Sequence, residues 1–345
     1  FSRAVRYKTS NDQIAVLYIY YYTRGLNMKV VHIGFDIGGM SIKAGLVDKE
    51  GNILYKSTRP TPSGDKGISF IKYMRELIDE LIAYSKENDL KIKAIGVAIP
   101  GIVDNKTGSL TYANNLDLEY PFNIKEKLKD YGFDFYMSND ANVACLAEQK
   151  FGAAKGKKDA ILLTLGTGVG GGIVIDNKLY EGNEGKGAEL GHFVLVVDGL
   201  PCTCGRKGCF EAYASATALL RLTKEIMMEN NDSLMWEYCG NDINKVTGLT
   251  SFECSKKGDK AANEVVDTYV KYLGEGILNI CNVFRPQTII IGGGISNQKD
   301  YFINKIINYC EKYHYGYKNT PKVEIVTAKL TNDAGIIGAA HLLDF

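Results

Sequence analysis

The sequence predicts an α/β protein built from two similar domains that face each other across a cleft. Three observations point there. From Met28 onward, β-rich runs alternate with segments of helical period. The stretches 35–54 and 163–182 share one design (strand, glycine turn, strand, turn), which reads as an internal repeat of an α/β unit. A chain of 345 residues also exceeds what one ordinary core organises.

In chain order, "VVHIGFDIG" is a β-rich run ending at Gly38-Gly39, and "IKAGLVDKEGNILYKSTRP" reads as two strands around an Asp-Lys-Glu-Gly turn. "GISFIKYMRELIDELIAYSKEN" has apolar residues at helical spacing. "IKAIGVAIPGIVD" is a buried strand stopped by Pro100-Gly101. "NDANVACLAEQKFG" opens a helix with Asn139 or Asp140 at its N-cap. "KDAILLTLGTGVGGGIVIDNKLYEG" repeats the opening theme, and "FVLVVDG" (193–199) is a β-like run. Residues from about 215 to 284 read as helical. "TIIIGGGIS" is a third strand running into glycines, "VEIVTAKL" a further strand, and "DAGIIGAAHLL" a closing helix of small residues. The expected division is a small domain of residues 28–143 plus 331–345 and a large domain of 144–330 that carries a cysteine cluster. No low-complexity linker separates them, so a hinge lies within packed elements.

Residues 1–27 read as an extension of doubtful origin before a natural start at Met28, with an added edge strand or helix as the alternative. The apolar run "IAVLYIYYY" within them is shorter than the ~20 residues of a membrane span. No small-residue cleavage site follows it, as a signal peptide would require. Lys+Arg 41 against Asp+Glu 40 leaves no basic excess for nucleic acid or an anionic membrane. Eight cysteines in a long chain without a signal peptide fit a reducing cytoplasm better than a disulfide framework. Composition therefore points to a soluble protein with a small-molecule partner.

Three glycine turns each follow a strand: Gly38-Gly39, the run from Gly166 through Thr167 and Gly168 to Gly172, and Gly292-Gly293-Gly294. Without a Cβ in the way, such turns bring backbone amides up to phosphate oxygens. None fits the P-loop pattern, and none is a dinucleotide fingerprint opening a helix. Asp36 precedes the first turn. It is either a turn-capping residue or a ligand for Mg²⁺ beside a nucleotide, and Lys43 together with the second glycine turn favours the metal role.

His192, Cys202, Cys204 and Cys209 give the spacing H-x₉-C-x-C-x₄-C. Thiolate and imidazole ligands suit tetrahedral zinc, and Gly205 and Gly208 allow the tight loop. A disulfide would leave one of these three cysteines unpaired and give His192 no part. Four protein ligands leave no open position, so the expected zinc is structural.

The motifs "DIGGMSIKAGLVD", "GVAIPGIVD", "SNDANVACLAE", "LTLGTGVGGGIVIDNKLYEG", "GAELGH", "CTCGRKGCFEAYAS", "IIIGGGIS" and "NDAGIIGAA" resemble those of the ROK family of repressors, open reading frames and sugar kinases. The resemblance runs from about residue 30 to the C-terminus. It implies the two-domain ribonuclease-H-like fold of the actin and hexokinase ATPases. It further implies transfer from ATP, with Mg²⁺, to the 6-hydroxyl of a hexose, and a structural zinc held by the four residues above. Asp140 would accept the hydroxyl proton, although it could merely cap its helix. Asn139 would hold a neighbouring hydroxyl. Glu189, His192 and Glu211 would complete the sugar grip, since carboxylates and imidazole match hydroxyl donors and acceptors. Asn114 lies where the family has a sugar-facing loop, and an ordinary turn residue is the plainer reading. Nucleotide contacts would fall on Asp36, Gly38, Gly39, Lys43, Gly166, Thr167, Gly168, Gly293 and Gly294. "CTCGRKGCFEAYASATAL" resembles the glucokinase branch, with other hexose kinases or a non-catalytic sugar sensor as alternatives. A homodimer is expected from the resemblance. One departure stands out: Met40 occupies a position where the family usually has Thr.

Overall fold

The first repeat folds as a meander because its turns carry residues that reverse a chain. β1 (Lys29–Ile37) enters the Gly38-Gly39 turn, β2 (Ser41–Asp48) returns antiparallel, and a turn with Gly51 at φ 84° sends β3 (Ile53–Pro60) back again. Asp48 closes that second turn by accepting from the Glu50 and Asn52 amides at 3.0 and 2.9 Å. α1 (Ile68–Glu87) buries Phe70, Met74, Leu77, Ile78 and Leu81, one stripe of its surface, against the sheet. β4 (Leu90–Ile99) then lies parallel to β1. A small antiparallel sheet follows, made of β5 (Ile102–Asp104), β6 (Ser109–Tyr112) and β7 (Phe122–Asn123). The short α2 (Ile124–Leu128) leads to β8 (Asp134–Asn139), which is parallel to β4. The structure is a computed structural model that describes residues 28–316 and 319–344, so the expectation for residues 1–27 lies outside it.

The second half opens with α3 (Asp140–Lys150) and repeats the meander in β9 (Ala160–Leu165), β10 (Val169–Ile175) and β11 (Lys178–Leu179). A helical layer follows: α4 (Glu211–Ala214), α5 (Ala216–Glu229), α6 (Leu234–Tyr238), α7 (Thr250–Lys256) and α8 (Lys260–Phe284). β12 (Thr288–Gly292), α9 (Lys299–Tyr313), β13 (Glu324–Thr327) and α10 (Ala334–Ala340) complete the chain. The two large sheets have the orders β3-β2-β1-β4-β8 and β11-β10-β9-β12-β13. Strand senses match as well: the first three strands of each are antiparallel and the last two join in parallel. The internal repeat read from the sequence is thus a duplicated sheet. The expected boundary between residues 143 and 144 falls inside α3.

"FVLVVDG" is not a strand. Its one ladder contact is a bridge from Val194 to Cys209, and Val197 is 80% exposed. Apolar residues here lack a second strand to pair with, and the turn at 197–198 bends them over the cysteine loop.

The lobes are joined by an exchange of helices. α3 follows the last strand of the first sheet but packs on β9 and β10 of the second; α10 follows the last strand of the second sheet but packs on β1 and β4 of the first. Both approach at backbone distance. A Cβ on Gly34 or Gly96 would stand 2.0 Å from the Ile336 carbonyl or 1.7 Å from the Ala339 carbonyl. A Cβ on Gly172 would stand 2.4 Å from the carbonyl of Ala141. Glu148 locks the exchange. Buried at the end of α3, its carboxylate accepts from the amides of Lys329, Leu330 and Ala153 at 2.8, 2.7 and 2.7 Å, satisfying a charge that would otherwise be costly. Among the described residues no helix is long and apolar enough to cross a membrane.

Replacing Gly96 by Ala forces α10 off the first sheet and is expected to cost about 3 kcal/mol or more of stability. Gly248→Ala, whose added methyl group meets nothing, stays within about 0.5 kcal/mol of wild type. Urea midpoints of the two variants check this.

Candidate active site

The junction between β8 and α3 sets the central carboxylate. Asn139 is the N-cap, its Oδ1 accepting from the Ala141 amide at 3.0 Å, while its amide group donates to the Gly101 carbonyl at 3.2 Å. Capping therefore falls to Asn139, and Asp140 begins the helix proper. One of its oxygens accepts from the Ala141 amide at 2.9 Å. The carboxylate is open to solvent, yet protein crowds it on most sides. This partial desolvation, with the nearby charges of Asp36 and Glu189, pushes its pKa up to about 6.

Asp36 comes from β1. Lys43, its register partner on β2, donates to its Oδ2 at 2.8 Å. The start of α10 presses on the same carboxylate, since a Cβ on Gly335 would lie 2.5 Å from the Asp36 Cγ. The Gly38 amide is committed to the Ser41 carbonyl, and Thr61 pins the turn by donating to the Gly38 carbonyl at 2.6 Å. Gly39 lies against Asn115, and Met40 is 90% exposed.

In the second meander Thr164 stands one residue before the turn-closing pair, as Asp36 does in the first. The turn of Gly166, Thr167 and Gly168 is held from α5: Ala216 donates to the Gly166 carbonyl and Thr217 to that of Thr167, both at 2.8 Å. Gly293, at φ 86°, presses against the end of β9, where a Cβ would meet the Leu165 carbonyl at 2.2 Å. Gly293 and Gly294 line a cavity of about 340 Å³ together with Thr164, Ser296, Asn297 and Asn332. The last four were missed from the sequence. The equivalence of Thr164 to Asp36 in the repeat could have flagged it, but nothing local marks the others.

Glu189 lies exposed just before a 3₁₀ turn of residues 190–192, and His192 ends that turn. The His192 Nδ1 is 3.6 Å from the Cys202 sulfur, and the Cys204 and Cys209 sulfurs are 3.6 Å apart. All four ligand atoms fall within 4.8 Å of one another. Zinc–sulfur bonds of about 2.3 Å in a tetrahedron place sulfurs about 3.8 Å apart, so the donor set has both the chemistry and the spacing for zinc. Glu211 is bonded on both sides. One oxygen accepts from the Val169 amide at 3.0 Å, the other from the Thr203 hydroxyl at 3.2 Å, and it fills the space a side chain on Gly168 would need. It therefore ties the cysteine loop to the second glycine turn. Asn114 is exposed and accepts from the Tyr112 hydroxyl at 2.5 Å; its neighbour Asn115 is the one that touches the first glycine turn.

Residues 32–344 match the model of the ROK family. The chain belongs to the ROK family. Its relatives include the glucokinase of Streptomyces coelicolor, 36% identical over 90% of this chain and 96% of that one. The glucokinase of Thermotoga maritima is 33% identical over 91% and 98%. Among solved structures, a ROK family glucokinase from Streptomyces griseus in complex with glucose and AMPPNP superposes with a TM-score of 0.75. It is 33% identical and covers 90% of this chain and 98% of its own. The xylose repressor of Bacillus subtilis is also similar, at 28% identity over 90% of this chain and 76% of its own length. The actin/hexokinase-type ATPase fold expected from the motifs is thus the fold of this ROK chain.

A carboxyl whose folded pKa is about 6 against an ordinary 3.8 holds its proton more tightly in the folded state, so it subtracts stability as pH rises between those values. Asp140→Asn is expected to raise the urea midpoint at pH 8, with the gain vanishing by pH 3.5. Equilibrium unfolding at the two pH values measures it.

Proposed function

We propose that this chain transfers the γ-phosphoryl group of ATP to the 6-hydroxyl of glucose, with Asp140 as general base. That it is an ATP-dependent sugar kinase stands on the glucokinase relatives, which match 90% or more of the chain. The sugar, the hydroxyl and the base are the proposal. The observation that carries it is the place of Asp140: first residue of a helix that Asn139 caps, open to solvent yet crowded by protein, with a pKa of about 6. Such a carboxylate is ionised at pH 7 and still basic enough to take a hydroxyl proton as the oxygen attacks phosphorus.

In this reading Asn139 has one amide hydrogen left for a neighbouring hydroxyl. Glu189 and His192 take further hydroxyls, and a glutamate left unpaired by the wrong epimer supplies selectivity. Glu211 and Asn114 serve as outer contacts, both already bonded within the protein. Adenosine occupies the cavity at Gly293 and Gly294. The phosphates lie towards Gly38, Gly39, Lys43, Gly166, Thr167 and Gly168. Mg²⁺, held at Asp36, would neutralise charge on the phosphates when bound. Zinc on His192, Cys202, Cys204 and Cys209 would act as a staple, fixing the His192 ring through Nδ1 and leaving its other nitrogen for the sugar. A small domain of residues 28–143 with 331–345 closing on a large one, a homodimeric state and a cytoplasmic setting belong to the same proposal and rest on the resemblance.

The test is phosphoryl transfer from Mg-ATP across glucose, mannose, fructose, N-acetylmannosamine and N-acetylglucosamine. Glucose is expected to be turned over best, with kcat/KM rising through pH 6 and Asp140→Asn losing at least about 100-fold. Binding of sugar without turnover of any would replace this reading by a sugar sensor. Cys204→Ser is expected to lose zinc, lower the melting temperature and weaken glucose binding together, read by metal analysis, calorimetry and titration. Wild-type binding in the zinc-free variant would remove the staple from the account.

A further inference from the structure

A second carboxylate bridges the lobes close to Asp140. Glu181 follows β11 and belongs to the second lobe. Its Oε1 accepts from the hydroxyl of Ser138, and its Oε2 accepts from the Asn105 amide group at 2.6 Å. Both partners belong to the first lobe. Ser138 is 1% exposed on β8, two residues before Asp140, and Asn105 lies in the turn between β5 and β6. One side chain thus holds the turn of a surface hairpin and the end of the strand from which α3 springs.

The loop carrying Glu181 is built to hold still. The Gly187 amide closes it by donating to the Glu181 carbonyl at 2.7 Å, and Tyr180 is anchored to the Ile173 carbonyl at 2.8 Å. The loop also seats on the first lobe: a Cβ on Gly185 would meet the Val103 carbonyl of β5 at 2.6 Å. Beside this contact runs a seam of about 410 Å³ with charges from both lobes, Asp104 and Lys106 facing Glu184 and Lys186. A carboxylate suits the place because it presents two acceptors to two neutral donors, and charged acceptors make the stronger bonds.

We propose that Glu181 is a positioning residue for phosphoryl transfer: it clasps the β5–β6 hairpin to the end of β8 across the lobes and so fixes the backbone from which Asp140 acts. The inference rests on the kinase reading of the site. Glu181 touches no reacting atom in it. It acts through Ser138 and the Asn139 cap, and a small displacement of a reacting group costs rate far more than affinity.

The experiment compares Glu181→Ala, Ser138→Ala, their double variant, Glu181→Gln and Asn105→Ala in the full chain. Glu181→Ala and Ser138→Ala are each expected to lower kcat by about 10- to 100-fold with the KM for ATP unchanged, and the double variant to be no worse than either. Released from its crowded position, Asp140 would titrate lower, so the acid limb of kcat/KM moves to lower pH; the charges of Asp36 and Glu189 that act on it are unaltered. Glu181→Gln restores most of the rate, because Gln keeps one acceptor for Ser138 and the Asn105 amide can rotate to face its other end. Asn105→Ala, on the exposed hairpin, cuts half the clasp without disturbing the core, so a loss of rate there supports the proposal even if the buried variants fail to fold. A folded Glu181→Ala with wild-type kcat and an unmoved acid limb overturns the clasp while the kinase reading stands. If wild type phosphorylates no sugar, the kinase reading fails by itself. The clasp is then decided by small-angle scattering, where a larger radius of gyration for Glu181→Ala supports it and an unchanged one overturns it.

Discussion

Backbone contact between two exchanged helices and two glycine-lined sheets is the constraint on which the rest of this molecule depends. Each helix belongs to one sheet by chain order and packs on the other by contact, so neither lobe completes its layers alone. The approach is close enough that the carbonyls of Ile336, Ala339 and Ala141 stand where side chains would otherwise be. Interiors packed this tightly do not deform continuously. The first residue of α3 is Asp140, and the second of α10 is Gly335, pressed against Asp36. The candidate site residues Asp140 and Asp36 thus sit where the two exchanged helices begin.

Electrostatics follow from that placement. The charges of Asp36 and Glu189 act on Asp140, and Lys43 is paired with Asp36. Crowding by protein, with those like charges added, raises the proton affinity of Asp140. A site with this surplus of negative charge suits a divalent cation and a neutral, hydroxyl-bearing substrate. Further carboxylates do mechanical work. Glu148 holds the segment leading to α10, Glu211 joins the cysteine loop to the second glycine turn, and Glu181 joins the lobes.

Most of the architecture was legible in the sequence because its signals are local. Glycine turns, alternation within strands and the apolar stripe of α1 are each written within a few adjacent residues. The cysteine cluster was legible for the same reason, since its ligands span residues 192–209 and a tight loop gathers them. The run 193–199 misled because apolar, β-branched residues promise a strand only where a partner strand exists, and here the chain offers a single bridge.

The sequence by itself determined the duplicated meanders and the gathering of His192, Cys202, Cys204 and Cys209 in one tight loop region. Tertiary structure alone decided which helix covers which sheet, that Asn139 rather than Asp140 caps α3, and that Asn297 and Asn332 face one cavity with Gly293. It also decided that Glu181 meets Ser138 across 43 positions of chain. The reason is physical. Hydrogen bonds within a turn or a helix depend on neighbours whose geometry the backbone already fixes, whereas a contact between distant residues exists only once both lobes have packed.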